Sequence, residues 1–219
     1  MLDKLDDLGD AAKAADKLED ISDGTKLLPP PKELGDVVHW DGVIRSTDEI
    51  FDPSKYKMLD GEKLGDFGES VVEGMLRKKE FGDYDTFYAV QNKSGNGVDI
   101  VATNKKGDVY IAEVKSTQQD KLWNNGNPRD IGLKGDQKTM GGKEYSEDRL
   151  DRAAQGDDGY TDGTSTEEAI KAQEAIENAK ANGNKIEHKK IDVHVDNDGN
   201  LRDTPKVKDW KKPPKKKGK

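Results

Sequence analysis

Apolar residues recur at helical spacing in one part of the chain and at strand spacing in others. Four of them stand at positions i, i+3, i+7 and i+11, namely Leu64, Phe67, Val71 and Met75. This stripe predicts an amphipathic helix from about residue 61 to residue 79. The aromatic and β-branched residues between 81 and 90 predict a first strand directly after it.

Two further apolar runs predict a β-hairpin. They cover residues 97–103 and 109–115, and the sequence Asn104-Lys105-Lys106-Gly107-Asp108 separates them. A three-residue loop with its glycine in the left-handed conformation is a common hairpin closure, because glycine carries no Cβ to clash there. This closure pairs Asn104 with Asp108 and thereby predicts the register of both strands.

The predicted register places three charged side chains on one face of the hairpin. Counting back from the turn puts Asp99 opposite Glu113, and strand alternation puts Lys115 on the same face as Glu113. Two carboxylates that face each other repel, so the arrangement costs stability unless a cation lies between them. The hairpin therefore predicts a cation site, and a divalent metal is the natural occupant.

The rest of the chain predicts a mixed α/β fold. Residues 118–142 have the composition of a loop, and helices are predicted at 143–154 and from about 164 to the Asn182-Gly183 stop. Residues 190–195 alternate as a strand. We expect a helix and linker at 1–31 with three consecutive prolines, a folded domain at 32–203, and a disordered basic tail at 204–219.

Composition limits what this domain can do. Only 31% of the 219 residues are hydrophobic, 37% are charged, and the formal net charge is -8. From Leu201 onward, however, the chain has nine Lys or Arg residues and only two Asp residues. The acidic remainder argues against a broad phosphate-binding surface, because nonspecific nucleic-acid affinity comes from Lys and Arg. Any nucleic-acid contact is expected to be local.

Several other classes of protein are excluded or disfavoured. The chain has no cysteine, which excludes disulfides and thiolate zinc sites. No apolar run approaches the roughly 20 residues that span a bilayer, so we expect no membrane contact. The N-terminus lacks the basic start and apolar stretch of a signal peptide. We therefore expect any export to use another route or a larger parent chain.

Two carboxylates and a lysine at this spacing suit phosphodiester hydrolysis. Mg²⁺ prefers hard oxygen ligands and is usually held by one or two carboxylates together with water and substrate phosphate. The metal acidifies a bound water and offsets charge on the phosphate. Lys115 could position that water or stabilise the transition state.

These residues resemble the PD-(D/E)XK, or restriction-endonuclease-like, nuclease superfamily. The resemblance lies in Gly97-Val98-Asp99 followed by Glu113-Val114-Lys115, and in the preceding helix Gly65-Asp66-Phe67-Gly68-Glu69. It implies a restriction-endonuclease-like core, with a central mixed β-sheet flanked by helices and a catalytic core at about 61–155. It also implies Mg²⁺ or Mn²⁺ bound by Glu69, Asp99 and Glu113, with Lys115 at the reacting water. Glu69 lies at the flank of the apolar stripe, whereas Glu73 points more toward solvent.

A second part of the resemblance concerns biology. Gln137 resembles the glutamine that many members place near the next helix, and we include it as a catalytic candidate. The segment from 135 to 150 is similar to nuclease domains at the C-termini of bacterial polymorphic toxins. This implies an interbacterial effector, delivered by a larger parent toxin into the cytoplasm of a target bacterium and neutralised by a cognate immunity protein. DNA is slightly favoured over tRNA as the substrate.

Two alternatives stay open. The chain could be a noncatalytic protein-interaction module with a nuclease-like fold, or a metal-independent ribonuclease toxin that uses His188 or His194. If it is a nuclease, its acidic body requires a local basic cleft, for which the sequence offers Lys93, Lys121, Lys134 and Lys138.

Overall fold

The computed structural model describes residues 50–91, 97–124, 126–157, 160 and 163–214. Its helices are α1 (Leu64–Leu76), α2 (Gly135–Gln155) and α3 (Gly163–Asn182). Its strands are β1 (Tyr84–Phe87), β2 (Ile100–Asn104), β3 (Val109–Thr117), β4 (Trp123–Asn124), β5 (Asn127–Pro128), β6 (Ile186–His194) and β7 (Lys206–Asp209). The helix and linker predicted at 1–31 lie outside the described residues.

A mixed five-stranded sheet forms the centre of the fold. Its strand order is β1-β2-β3-β6-β7, and β4 pairs with β5 in a separate two-stranded ribbon. Strands β3 and β6 are parallel, whereas the other pairs of the large sheet are antiparallel. A parallel pair needs a long crossover, which α2 and α3 provide. The predicted α/β class, with a central mixed sheet flanked by helices, is confirmed.

The hairpin between β2 and β3 has the predicted register. Ile100 pairs with Ala112 and Thr103 pairs with Val109. Gly107 has a φ of +82°, in the left-handed region, as the turn type requires. The backbone N–H of Asn104 donates to the carbonyl oxygen of Asp108 at 3.2 Å. The turn chemistry is therefore sufficient to fix which residues of the two strands oppose each other.

The two faces of the sheet bury different cores. Helix α1 covers one face, where its stripe residues Phe67, Val71 and Met75 are at most 1% exposed. They pack with alternate strand residues that include Ile100, Ala102, Ala112, Val114, Ile191 and Val193. The opposite face packs Val101, Val109 and Ile111 against Leu150, Ala153 and Ile176 of α2 and α3. Apolar packing ends part-way along this second face, where polar residues replace it.

The segment predicted to be a disordered tail is partly ordered. Within it, Lys206–Asp209 form strand β7 on β6, and Trp210 is only 4% exposed. The indole N–H of Trp210 donates to the carbonyl oxygen of Gln137 at 2.8 Å. The lysine-rich composition of this segment predicted a disordered tail rather than a strand. Charged side chains are nevertheless typical of an edge strand, because they prevent it from pairing with other molecules.

Helix α2 begins earlier than predicted, at Gly135, and is kinked at Gly141. That residue has φ +76° and ψ 168°, which are not helical values. Its neighbour Gly142 lies against β6 and the segment after β7. A Cβ added at Gly142 would lie 2.7 Å from the Cβ of His188 and 3.0 Å from the Cβ of Trp210. The glycine pair therefore permits a close contact between α2 and β6, although the glycine-rich composition of this segment predicted a loop.

We expect Gly142→Ala to lower the free energy of unfolding by about 1–3 kcal/mol, because the new methyl group pushes α2 away from β6. Gly65→Ala is the matched control. Gly65 is also helical, but no atom lies within 4 Å of an added Cβ. That control should be neutral or stabilising by up to about 1 kcal/mol. Urea denaturation measures both variants, and equal effects would contradict the close contact at Gly142.

Candidate active site

The polar part of the second face centres on Asp99, Glu113 and Lys115. Asp99 directly precedes β2, and the other two lie on β3. The carboxyl groups of Asp99 and Glu113 are close enough for the charge of Asp99 to raise the pKa of Glu113. The Nζ of Lys115 donates to Oε1 of Glu113. The structure thus brings together the three residues that the hairpin register placed on one face.

Asp99 is held in place by two further contacts. Its Oδ2 accepts the backbone N–H of Val114 at 2.7 Å, and its Oδ1 accepts the side-chain amide of Gln91 at 2.8 Å. These bonds leave the carboxyl group half-buried and fixed beside Glu113. Both contacts favour the ionised form of Asp99, since each donates to a carboxylate oxygen.

Helix α1 adds Glu69 to this arrangement through Gln91. The same side-chain amide of Gln91 that bonds Asp99 donates to Oε1 of Glu69 at 3.1 Å. Glu69 and Asp99 both line a cleft of about 500 Å³, together with Gln91 and with Glu73, which is half-buried. Glu73 had been expected to point toward solvent. The cleft therefore carries more acidic groups than the sequence pattern indicated.

Helix α2 contributes Gln137 from its first turn. The side-chain amide of Gln137 donates to Oε1 of Glu113, the same oxygen that Lys115 contacts. The hydroxyl of Tyr145, one turn beyond the Gly141 kink, donates to the carbonyl oxygen of Gly97 at 3.5 Å. All five predicted site residues are thus in direct contact with Glu113 or connected to it through Asp99 and Gln91.

Burial and mutual repulsion disfavour charge on these carboxyl groups. Burial, followed by the charge of Asp99, raises the pKa of Glu113 to about 8. The same two causes raise the pKa of Glu69 to about 8. Burial also raises the pKa of Asp99 above its usual range and that of Glu73 to about 7. These raised pKa values favour the protonated forms of the carboxyl groups.

One buried oxygen of the cluster lacks a hydrogen-bond donor. Oε2 of Glu113 is buried and accepts no hydrogen bond, while Oε1 accepts two. A proton or a cation between the carboxyl groups of Glu113 and Asp99 satisfies it. The two hard oxygen donors suit Mg²⁺ or Mn²⁺, which need only one or two protein carboxylates. Within the described ranges, no three His, Asp or Glu side chains are placed to hold one ion, and the role of Glu69 as a third ligand stays a prediction.

Sequence analysis missed the neighbours of this site on β6. Lys190 pairs with Glu113 and Asp192 pairs with Lys115, so both lie on the polar face. Because β6 is reached only after a crossover of two helices, no local pattern predicts which of its residues stand beside Glu113. Gln91 was also missed, since nothing in its sequence context distinguishes it.

The two histidines do not form a site together. His188 and His194 lie on the same face of β6, six residues apart, which corresponds to about 20 Å along a strand. His188 contacts the hydroxyl of Ser146 at 3.3 Å, whereas His194 is 4% exposed and packs beside the Trp123 ring. This separation prevents them from acting as an acid and base pair on one phosphodiester.

No protein-family model, curated protein or solved structure matches the chain. The described helices include none with both the length and the apolar character that crossing a membrane demands. The chemistry of the carboxyl cluster therefore provides the basis for assigning a function.

The raised pKa of Glu113 predicts how the metal-free protein responds to pH. A folded-state pKa of about 8 against a usual 4.5 means that the stability contribution of this group is greatest below pH 4.5 and decreases as pH rises toward 8. We expect the free energy of unfolding in EDTA to fall between pH 6.5 and pH 9, by about 2 kcal/mol through Glu113.

Denaturant titration of wild type and Glu113→Gln at both pH values measures this effect. The variant should lose less stability over that range because its amide does not ionise. Glu144→Gln, which alters an exposed carboxylate of α2, is the control and should behave as wild type. An unchanged pH dependence in Glu113→Gln would argue against a buried, repelling carboxyl pair.

Proposed function

We propose that this protein is a divalent-metal-dependent nuclease that hydrolyses phosphodiester bonds of nucleic acid. The observation that carries the proposal is the pair of half-buried Asp99 and buried Glu113, with Oε2 of Glu113 unsatisfied and Lys115 in contact with Oε1. A structural role explains this pair poorly, because two adjacent buried carboxyl groups destabilise the fold.

Asp99 and Glu113 are the residues that would hold the metal, with Glu69 next to them through Gln91. When bound, Mg²⁺ or Mn²⁺ acidifies a coordinated water and offsets the charge that develops on the phosphate. The hydrogen bonds from Val114 and Gln91 keep Asp99 in place, and the amide of Gln137 orients Glu113. The site is therefore preorganised by donors that do not change charge.

Lys115 has a separate role in this proposal. Its side chain is 27% exposed, whereas that of its partner Glu113 is 1% exposed, so Lys115 is accessible to substrate. It can hold the attacking water or stabilise negative charge on a phosphate oxygen. The contact with Glu113 directs the ammonium group toward the carboxyl pair.

The resemblance to PD-(D/E)XK nucleases supports the same reaction. The chain order of α1, three strands and α2 agrees with what that resemblance implies for the catalytic core. We base the proposed biological role on the toxin-like sequence segment. In this role the protein is an interbacterial toxin that a larger parent toxin delivers into a target cell and that a cognate immunity protein neutralises. DNA remains slightly favoured over tRNA.

Cleavage assays test the nuclease proposal. Plasmid, genomic DNA and total tRNA are incubated with the protein in Mg²⁺, Mn²⁺ or EDTA. We expect cleavage only with metal, and a loss of at least about 100-fold in Asp99→Asn and in Lys115→Gln, because each removes a charge used in the transition state. Lys171→Gln, an exposed change on α3, is the control and should keep full activity. Cleavage that persists in EDTA or in both site variants would contradict the assignment.

Metal binding separates a nuclease from a noncatalytic module. We expect Mn²⁺ to stabilise the wild type at pH 8, by about 3 kcal/mol when its concentration is 100 times the dissociation constant. Glu113→Gln should abolish this stabilisation because it removes one of the two charged ligands. Affinity should weaken as pH falls below 8, where protons compete for Glu113. A folded protein that binds no metal and cleaves no substrate would favour the interaction module.

A further inference from the structure

A pair of lysines lies beside the carboxyl cluster on the same face of the sheet. Lys190 of β6 pairs with Glu113 of β3, and Lys208 of β7 pairs with Lys190. Directly paired residues project to one face of a sheet, and neighbouring strands are about 4.8 Å apart. Lys190 and Lys208 are therefore one and two strands away from Glu113.

An aspartate from another part of the chain joins the two lysines. Oδ1 of Asp130 lies 2.8 Å from the Nζ of Lys190 and 2.5 Å from the Nζ of Lys208. Asp130 belongs to the connection between β5 and α2, next to the active-site face. One carboxylate oxygen thus accepts from two ammonium groups, which is also how a phosphate oxygen is commonly bound.

The two acidic partners of the lysines differ in burial. Asp192, with Oδ1 2.8 Å from Lys190 and Oδ2 3.4 Å from Lys208, is 1% exposed and belongs to β6. The side chain of Asp130 is 57% exposed and reaches the lysines from a connecting segment. Asp192 is therefore a permanent partner, whereas Asp130 can move away without disturbing a strand.

Charge balance indicates what could replace Asp130. With Asp192 in place, the two lysines retain one positive charge, and Asp130 neutralises it. A phosphodiester group carries the same single negative charge as Asp130. Exchanging one for the other keeps Lys190, which is 5% exposed, fully compensated, and an uncompensated buried ammonium would be costly.

We propose that Lys190 and Lys208 form a phosphate-binding subsite for the nucleic-acid backbone, and that Asp130 occupies this subsite until substrate displaces it. The nucleic-acid part of this inference rests on the proposed function. A phosphate bound here lies next to the one at Asp99 and Glu113, so the subsite positions the strand across the metal site. It also adds local positive charge to a chain whose formal net charge is -8.

This subsite differs from the basic cleft expected from sequence. Lys121, Lys134 and Lys138 are exposed, and Lys93 lies outside the described residues. Lys190 and Lys208 have defined carboxylate partners and a fixed place in the sheet. The proposed contacts with the nucleic-acid backbone therefore come from strands of the central sheet, and strand pairing sets where the two lysines lie.

Binding without cleavage tests the subsite directly. A fluorescent single-stranded oligonucleotide is titrated with the full chain in EDTA, and inorganic phosphate is used as a competitor. We expect Asp130→Asn to bind both ligands about 10-fold more tightly, because the competing carboxylate is gone. Asp203→Asn removes the same charge from another exposed position and should change affinity by less than about 2-fold. Circular dichroism confirms that both variants are folded.

Adding Lys208→Gln to Asp130→Asn should remove the gain and lower the salt dependence of oligonucleotide binding by about 0.7, the value for one contact with a single strand. Equal affinities of Asp130→Asn and Asp203→Asn would overturn the subsite, even if the wild type cleaves nucleic acid. If Asp130→Asn bound only inorganic phosphate more tightly, and not the oligonucleotide, the nucleic-acid backbone would be ruled out as the ligand of the subsite. Tighter binding of both ligands supports the subsite, and the absence of cleavage would then count against the nuclease proposal only.

Discussion

Repulsion between the carboxyl groups of Asp99 and Glu113 is the constraint on which the site depends. Both groups are placed side by side by the register of one hairpin, and burial increases the cost of ionising them together. The donors around them, Lys115, Gln137, Gln91 and the amide of Val114, reduce this cost without removing it. The remaining affinity for a positive charge is what makes the pair suitable for a metal.

The two faces of the sheet differ in character: one packs an apolar core, and the other carries the polar cluster. Helix α1 buries an apolar face that includes Ala112, Val114 and Ile191, each next in sequence to a polar residue of the opposite face. The same strands can therefore place Glu113, Lys115 and Lys190 on the other face without losing their core contacts. A chain with only 31% hydrophobic residues can tolerate such a polar cluster because the opposite face of the sheet packs an apolar core under α1.

Local rules predicted part of the fold and of the site. The turn at Gly107 fixed the pairing of Asp99 with Glu113, and the apolar stripe of α1 placed Glu69 at the edge of the cleft. Contacts that depend on the crossover from β3 to β6 could not be predicted, since they join residues more than seventy positions apart, as with Glu113 and Lys190. Lys208 was assigned to a tail because charge dominates its surroundings, although the backbone pairing of β7 holds it in the sheet.

The contact between Trp210 and Gln137 has a consequence for the order in which the protein is made. Helix α2 is synthesised long before Trp210, whose indole N–H donates to the carbonyl oxygen of Gln137 in the first turn of that helix. A nascent chain still attached to the ribosome lacks β7 and this anchor until residue 210 has left the exit tunnel. The contact that holds the backbone of Gln137 therefore forms only after the hairpin that carries Asp99 and Glu113 has been synthesised.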